Sequence, residues 1–227
     1  MFLFLLCTEG HRTCHVRSND RAEYINEYGG SVHFDEFKEW SRIRIHLDLR
    51  QIENPSLDPY SCLYTDQVVT INNTSYTCGI NDILYYSKKQ AFIETAKNLK
   101  SFLEEVLYVK PYNGEFEISG VPDFVGTIVC EDENPNCNSV TNSDLAITFT
   151  SHPYYTLGAA SITKILNASK RPIHFAVNMI SSKIPTEAQS NTTFDNSFFL
   201  NLLHEVFHGL GVFQKNFKNF HPRDSNT

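Results

Sequence analysis

Apolar positions recur along this chain with two different spacings, and each spacing predicts a different element. Residues 43–49 (Ile43-Arg44-Ile45-His46-Leu47-Asp48-Leu49) alternate strictly between apolar and polar, the period of a strand with one buried face. From Asp82 to about Val109 the step lengthens to three and four. Phe92, Ala96, Leu99, Leu103 and Val106 recur there with Lys and Glu between them, which predicts the longest helix. Pro111 and Gly114 stop it, and Glu115-Phe116-Glu117-Ile118 is a short strand-like run. Three more strands are expected at 145–150, 157–162 and 173–179, separated by turn signals at Ser151-His152-Pro153 and around 167–172. A linker with Pro185 leads to a final helix from about Asn196, capped by Thr193 or Asp195 and ended by Gly211. Strands, a long helix, more strands and a second helix make an α+β fold.

Two stretches lack such periodicity. Residues 51–77 carry Pro55, Pro59 and Asn72-Asn73, and read as a long loop or hairpin tethered at Cys62 and Cys78. Residues 8–40 are polar and charged around a Gly29-Gly30 break, an extended or loosely ordered leader. Divided by these features, the chain reads as a signal-peptide remnant at 1–10, a leader at 11–40 and a folded domain at 41–227. No internal repeat is visible.

Composition narrows the function classes. With 41% hydrophobic and 13% aromatic residues among 227, the chain can fill a real core. A net charge of −7 with no basic cluster leaves no electrostatic footprint for nucleic acid. No run reaches the roughly 18 apolar residues of a membrane span. The apolar start Met1-Phe2-Leu3-Phe4-Leu5-Leu6-Cys7 and the N-x-S/T sequons at Asn72, Asn73, Asn167 and Asn191 point to a secreted or cell-surface protein. Without Cys7, five cysteines remain, an odd number that leaves one thiol over. Cys62 with Cys78 and Cys130 with Cys137 are natural local pairs, leaving Cys14; spacing alone equally allows Cys14 to pair with another.

The candidate chemistry lies in the final helix. His204-Glu205-Val206-Phe207-His208 is an H-E-x-x-H run, and residues four apart share one helix face, so both imidazoles can reach one ion. Glu205 is placed to take a proton from a water activated there. Its flanks, Phe198, Phe199, Leu202, Leu203, Val206, Phe207 and Leu210, make the helix apolar nearly all round. Burying two His and a Glu among them is costly unless a metal or other partners satisfy them. His152 and His174 read as structural or surface residues.

From Cys14 to its last residues the chain resembles the leishmanolysin-like zinc endopeptidases. Trp40-Ser41-Arg42-Ile43-Arg44-Ile45 resembles that family's opening strand. Cys62 and Cys78-Gly79-Ile80-Asn81-Asp82-Ile83-Leu84 resemble its paired cysteines before a long helix, and Val109-Lys110-Pro111-Tyr112-Asn113-Gly114 the turn after it. Asp144-Leu145-Ala146-Ile147 and Arg171-Pro172-Ile173-His174-Phe175-Ala176-Val177-Asn178 resemble its sheet strands, and residues 204–211 its metal helix. The order and spacing of these pieces carry the resemblance.

The resemblance implies a zincin-like domain: a twisted sheet on a long backing helix, with the H-E-x-x-H helix under the cleft. It implies one Zn2+ per chain, His204 and His208 as ligands, Glu205 as general base, and protein or peptide substrates. The run from Thr156 to Ile162 would be the edge strand on which an extended peptide pairs. His11-Arg12-Thr13-Cys14-His15 resembles the propeptide element whose cysteine ligates and blocks the zinc, with Thr13 as an extra residue. Residues 11–40 would then be a propeptide and Cys14 an inhibitory ligand.

The family pattern is broken in places. Position 214, where a shorter spacing would put a third His, is Gln214; the only methionines are Met1 and Met179, so no methionine turn is present. His221 is the sole downstream His, a weak third-ligand candidate because Pro222 and a short tail constrain it. The family's cysteine late in the edge strand is missing from Ala159-Ala160-Ser161-Ile162-Thr163, with Cys137 as a substitute partner for Cys130. The expectation is therefore the amino-terminal part of a zinc metalloendopeptidase, its membrane association residing in further carboxy-terminal sequence. The alternative is a truncated, catalytically inactive paralogue acting as a secreted adhesion or binding protein.

Overall fold

The structure, a computed structural model, describes residues 40–71, 73–118, 138–153, 158–167 and 169–212, and the backbone course at 23–25. Cys14, Cys130, Cys137, Gln214 and His221 lie outside the described residues, as do the signal-like start and Thr156.

In chain order the strands are β1 (Glu23–Ile25), β2 (Ser41–Arg42), β3 (Ile45–Asp48), β4 (Val68–Ile71), β5 (Thr74–Thr77), β6 (Tyr108–Val109), β7 (Phe116–Glu117), β8 (Ser139–Val140), β9 (Leu145–His152), β10 (Gly158–Leu166) and β11 (Pro172–Ile180). Among the described residues three α-helices accompany them: α1 (Arg50–Glu53), α2 (Tyr86–Val106) and α3 (Ser197–Gly209). The main sheet has the order β1-β10-β11-β9-β3. β3, β9 and β11 are parallel, β10 runs antiparallel to β11, and β1 lies parallel to β10. This is a mixed α+β fold, as the alternation of periods predicts.

One face of the sheet carries Ile147, Phe149, Phe175 and Val177, and both long helices pack against it through Phe92, Ala96, Leu99 and Leu103 of α2 and Phe198, Phe199, Leu202 and Val206 of α3. Phe92 joins the layers, edge-on to Phe149 at 5.6 Å and to Phe198 at 5.5 Å. Such ring pairs add to what their burial contributes. The opposite face, with Ala146 and Ala176, is covered by Tyr112, Phe116, Ile118 and Val140. Because both faces are covered, β9 is buried at every position rather than alternating.

Three expectations need correction. The long helix begins at Tyr86, not Asp82, because residues 80–82 form a 3-10 turn. Asp82 holds that turn by accepting from the Gly79 N–H at 2.8 Å and the Tyr76 hydroxyl at 2.9 Å. Val106 is half exposed rather than core, since it is the last residue of α2 and Leu107 takes over the packing. Neither Thr193 nor Asp195 caps α3 in the expected way. The side-chain oxygen of buried Gln189 accepts instead from the Phe198 and Phe199 N–H groups, at 2.8 and 3.1 Å. Those are two of the helix donors that lack an intrahelical partner.

Cys62 and Cys78 form a disulfide that closes the segment holding the β4–β5 hairpin. A loop of this size contributes about 3 kcal/mol in the chain-entropy account. Just before that segment, Asp58 is tied to the sheet by a buried pair with His152, Nε2 to Oδ2 at 2.6 Å, so His152 is a structural residue. Asn73, Asn167 and Asn191 are exposed. Among the described residues no helix is long and apolar enough to cross a membrane.

Candidate metal centre and active site

α3 carries the H-E-x-x-H run in its last two turns, and its burial pattern sorts the three chemical residues. His204 and His208 are half-buried on one face, while Glu205 is buried on the side that meets the sheet. The helix can press this close because Gly209 has no side chain: a Cβ there would stand 2.2 Å from the Phe175 ring on β11.

The two imidazoles converge. Their Nε2 atoms are 3.0 Å apart, with ring centroids 4.5 Å apart and planes at 84°. A carbonyl oxygen can only accept, so the 3.1 Å contact between His208 Nδ1 and the Val212 oxygen puts a proton on Nδ1. Nε2 of neutral His208 is then a lone pair aimed at His204. Burial lowers the His208 pKa from its ordinary 6.5, partly opposed by the Val212 hydrogen bond, which keeps the ring neutral at pH 7. His204 Nε2–H can donate to that lone pair, and with both Nε2 atoms deprotonated one cation can take the place of the shared proton.

The Val212 carbonyl is placed by how the helix ends. The Gly211 N–H donates to the His208 carbonyl and the Val212 N–H to the Phe207 carbonyl, both at 2.9 Å, the paired bonds of a Schellman ending. Gly211 has φ 92°, a left-handed conformation that favours glycine. The helix stop read from the sequence is thus also the element that orients a candidate ligand.

Glu205 sits under the first residue of β10. A Cβ on Gly158 would stand 2.6 Å from Glu205 Cγ and 2.8 Å from its Oε1, so this carboxyl fits only because position 158 is glycine. Burial pushes the Glu205 pKa up to about 7 from its ordinary 4.5. Among the described residues it accepts no hydrogen bond, so its charge has no local support.

Two imidazole nitrogens and a buried carboxyl are a donor set that suits zinc, but they are not a complete site. Catalytic zinc takes three protein ligands. Among the described residues no group of three or more His, Cys, Asp or Glu could hold a metal. Cys62 and Cys78 are excluded as ligands by their disulfide. His174 lies within the sheet, its Nε2 3.0 Å from the Thr148 hydroxyl and its Nδ1 in contact with the Thr163 hydroxyl.

Gly158, Gln189 and the Val212 carbonyl were not legible as site elements in the sequence. Gly158 and Gln189 carry no chemical motif, and a backbone carbonyl leaves no trace in composition.

No individually curated protein matches the chain in sequence. The model of the leishmanolysin family does, over residues 9–226. With that match spanning nearly its whole length, the chain belongs to the leishmanolysin family of zinc-dependent metallopeptidases.

Proposed function

We propose that this chain provides the catalytic helix and substrate edge of a zinc metalloendopeptidase with a zincin-like cleft. The observation that carries the reading is the convergence of His204 Nε2 and His208 Nε2 to 3.0 Å beside buried Glu205. His204 and His208 would hold one zinc ion, which when bound supplies Lewis acidity for a scissile carbonyl and for the attacking water.

The chain's own residues supply the remainder. The Val212 carbonyl fixes the His208 tautomer so that Nε2 keeps its lone pair. Glu205, with its carboxyl held near neutrality by burial, takes a proton from the attacking water at a carboxylate oxygen and later gives it to the leaving amine. β10 offers the main-chain groups on which an extended peptide can pair.

Cys14 is the candidate inhibitory ligand, and the direction of the leader supports it. β1 lies parallel to β10, so its amino-terminal end points toward the Gly158 end of that strand, beside Glu205. Lys164 is six residue steps from Gly158, about 20 Å of strand. The nine steps from Glu23 back to Cys14 reach up to about 30 Å, enough to bring the thiolate to an open coordination position. Cys14 in the latent form and His221 are the chain's own remaining candidates for a third ligand. The Cys62–Cys78 disulfide favours an oxidising, extracellular setting.

The test is hydrolysis of a quenched fluorescent peptide library by the purified chain. The reading expects cleavage that a chelator stops, zinc restores and Glu205→Gln lowers by about 10²–10⁴-fold. Cleavage indifferent to Glu205→Gln overturns it. Zinc bound without any cleavage favours the binding-protein alternative.

A further inference from the structure

The sequon Asn191-Thr192-Thr193 has no part in the metal site, yet the fold gives it a definite setting in the turn before α3. The Thr193 N–H donates to the Ser190 carbonyl at 3.3 Å, and the Ser190 N–H donates to the Thr193 hydroxyl oxygen at 2.9 Å. Asn191 holds the second position of this turn, exposed, and makes no hydrogen bond among the described residues. Phe194, one residue beyond the turn, is fully exposed. The root of the loop is fixed. Buried Gln189 donates its N–H to the Thr95 hydroxyl and accepts at its carbonyl from the Asn98 carboxamide, both at 2.9 Å.

We propose that Asn191 carries an N-linked glycan and that its first sugar packs over the Phe194 ring. Asn-x-Thr is the acceptor pattern for such glycans on exported proteins. In the transfer, Asn191 Nδ2 attacks C1 of an oligosaccharide carried on a lipid diphosphate. The Nδ2–C1 bond forms, the bond from C1 to the phosphate oxygen breaks, one Nδ2 proton is released and the lipid diphosphate leaves. The Thr193 hydroxyl is engaged inside the folded turn, so transfer precedes folding, and the exposed position of Asn191 then accommodates the product.

Phe194 is the second observation. A single exposed apolar side chain is ordinary by itself, but this one lies within reach of the acceptor. Three residues of chain span at most about 11 Å, so a sugar on Asn191 reaches the ring. The negative face of an aromatic ring attracts the C–H bonds on one side of a pyranose, and covering the ring takes apolar area out of water.

The placement leaves the cleft clear. The loop is bolted to the first turn of α3, where Gln189 Oε1 accepts from the Phe198 and Phe199 N–H groups. His204 lies about 10 Å further along the helix axis from Ser197. The modification does not depend on the metallopeptidase reading. It needs passage through a compartment that adds glycans, a setting the Cys62–Cys78 disulfide also favours.

The experiment secretes the full chain from a eukaryotic cell line behind a cleavable signal and maps the glycopeptides of the secreted protein by mass spectrometry. Asn191→Gln, Thr193→Ser, Thr193→Ala and Phe194→Ala are run in parallel. The peptide containing residue 191 should carry a glycan in the parent, Thr193→Ser and Phe194→Ala, and none in Asn191→Gln and Thr193→Ala. Melting temperature is then compared after trimming each glycan to its first sugar and after removing it entirely.

In the parent, trimming to one sugar should leave the melting temperature unchanged and complete removal should lower it. In Phe194→Ala the loss on complete removal should shrink or vanish. A secreted parent with Asn191 bare would overturn the inference, whether or not the chain binds zinc or cleaves peptides. A glycan on Asn191 whose removal costs the parent and Phe194→Ala equally would overturn the packing on Phe194.

Discussion

Gly158 on β10 and Glu205 on α3 are mutually fitted: a Cβ on the first would stand 2.6 Å from Cγ of the second. The atoms that would have to yield belong to the Glu205 side chain, which is flexible, so the strand need not move. Gly158→Ala should therefore displace the carboxyl while leaving the fold intact. The expected outcome is a fall in kcat of about tenfold or more, since small misplacements of a catalytic group are costly, with little change in melting temperature. A Gly158→Ala chain with parental kcat would show that Glu205 does not act from this position.

The end of α3 yields a second prediction. Gly211 adopts φ 92°, and the turn it makes brings the Val212 carbonyl to His208 Nδ1. Gly211→Ala forces a side chain into the left-handed region at a cost of about 1–2 kcal/mol. It should also loosen the hydrogen bond that orients His208, and zinc affinity should drop by about 10–100-fold, the usual effect of losing an outer partner of a ligand. Competition with a chromophoric zinc chelator measures this directly. A drop in stability with zinc affinity unchanged would separate the cap from the ligand.

The pair of part-exposed Arg44 with buried Asp144 fixes the start of the sheet. Asp144 accepts from Arg44 Nε at 2.9 Å, Arg44 Nη2 at 3.0 Å and the Tyr112 N–H at 2.6 Å. Burial raises its pKa, but the Arg44 guanidinium and the Tyr112 and Arg44 N–H groups outweigh this and hold it below its ordinary value. Asp144→Ala leaves the Arg44 guanidinium without its carboxylate and should destabilise the domain by about 3 kcal/mol, read by urea unfolding. Because Arg44 is partly exposed, the loss should lie toward the low end for buried pairs.

His174 makes stability depend on pH. Burial lowers its pKa from its ordinary 6.5 to about 3, with Asp48 opposing the fall. Between those values the unfolded chain takes up a proton that the folded chain refuses, so acid favours unfolding. Stability should be full above pH 6.5 and decline steadily as pH falls toward 3. His174→Gln should flatten the slope over that window, measured as melting temperature against pH. An unchanged slope would mean that other groups carry the acid sensitivity.

Much of this was legible in the sequence because it depends on period and on short-range chemistry. The three- and four-residue steps of α2 and the H-E-x-x-H spacing of α3 each encode one face of one element, whereas the alternation at 43–49 marks a strand only over Ile45–Asp48, where Asp48 is buried against the expected pattern. Glycine after the last apolar turn marked the end of α3 for the same reason. What was hidden depends on residues distant in the chain. Gln189 caps a helix nine residues ahead through a buried side chain, and Gly158 matters only because Glu205 lies 47 positions later and packs beneath it. β1 shows no periodicity because three residues are too few to display one, and its partner is β10, far along the chain.

Zinc content per purified chain, compared among the native sequence, His204→Ala, His208→Ala and Glu205→Gln, tests the central claim most directly. The account predicts close to one zinc in the native chain and in Glu205→Gln, with most of it lost in both histidine variants. Zinc retained at native level in His204→Ala and His208→Ala would contradict the account, because the metal would then be held somewhere other than this helix.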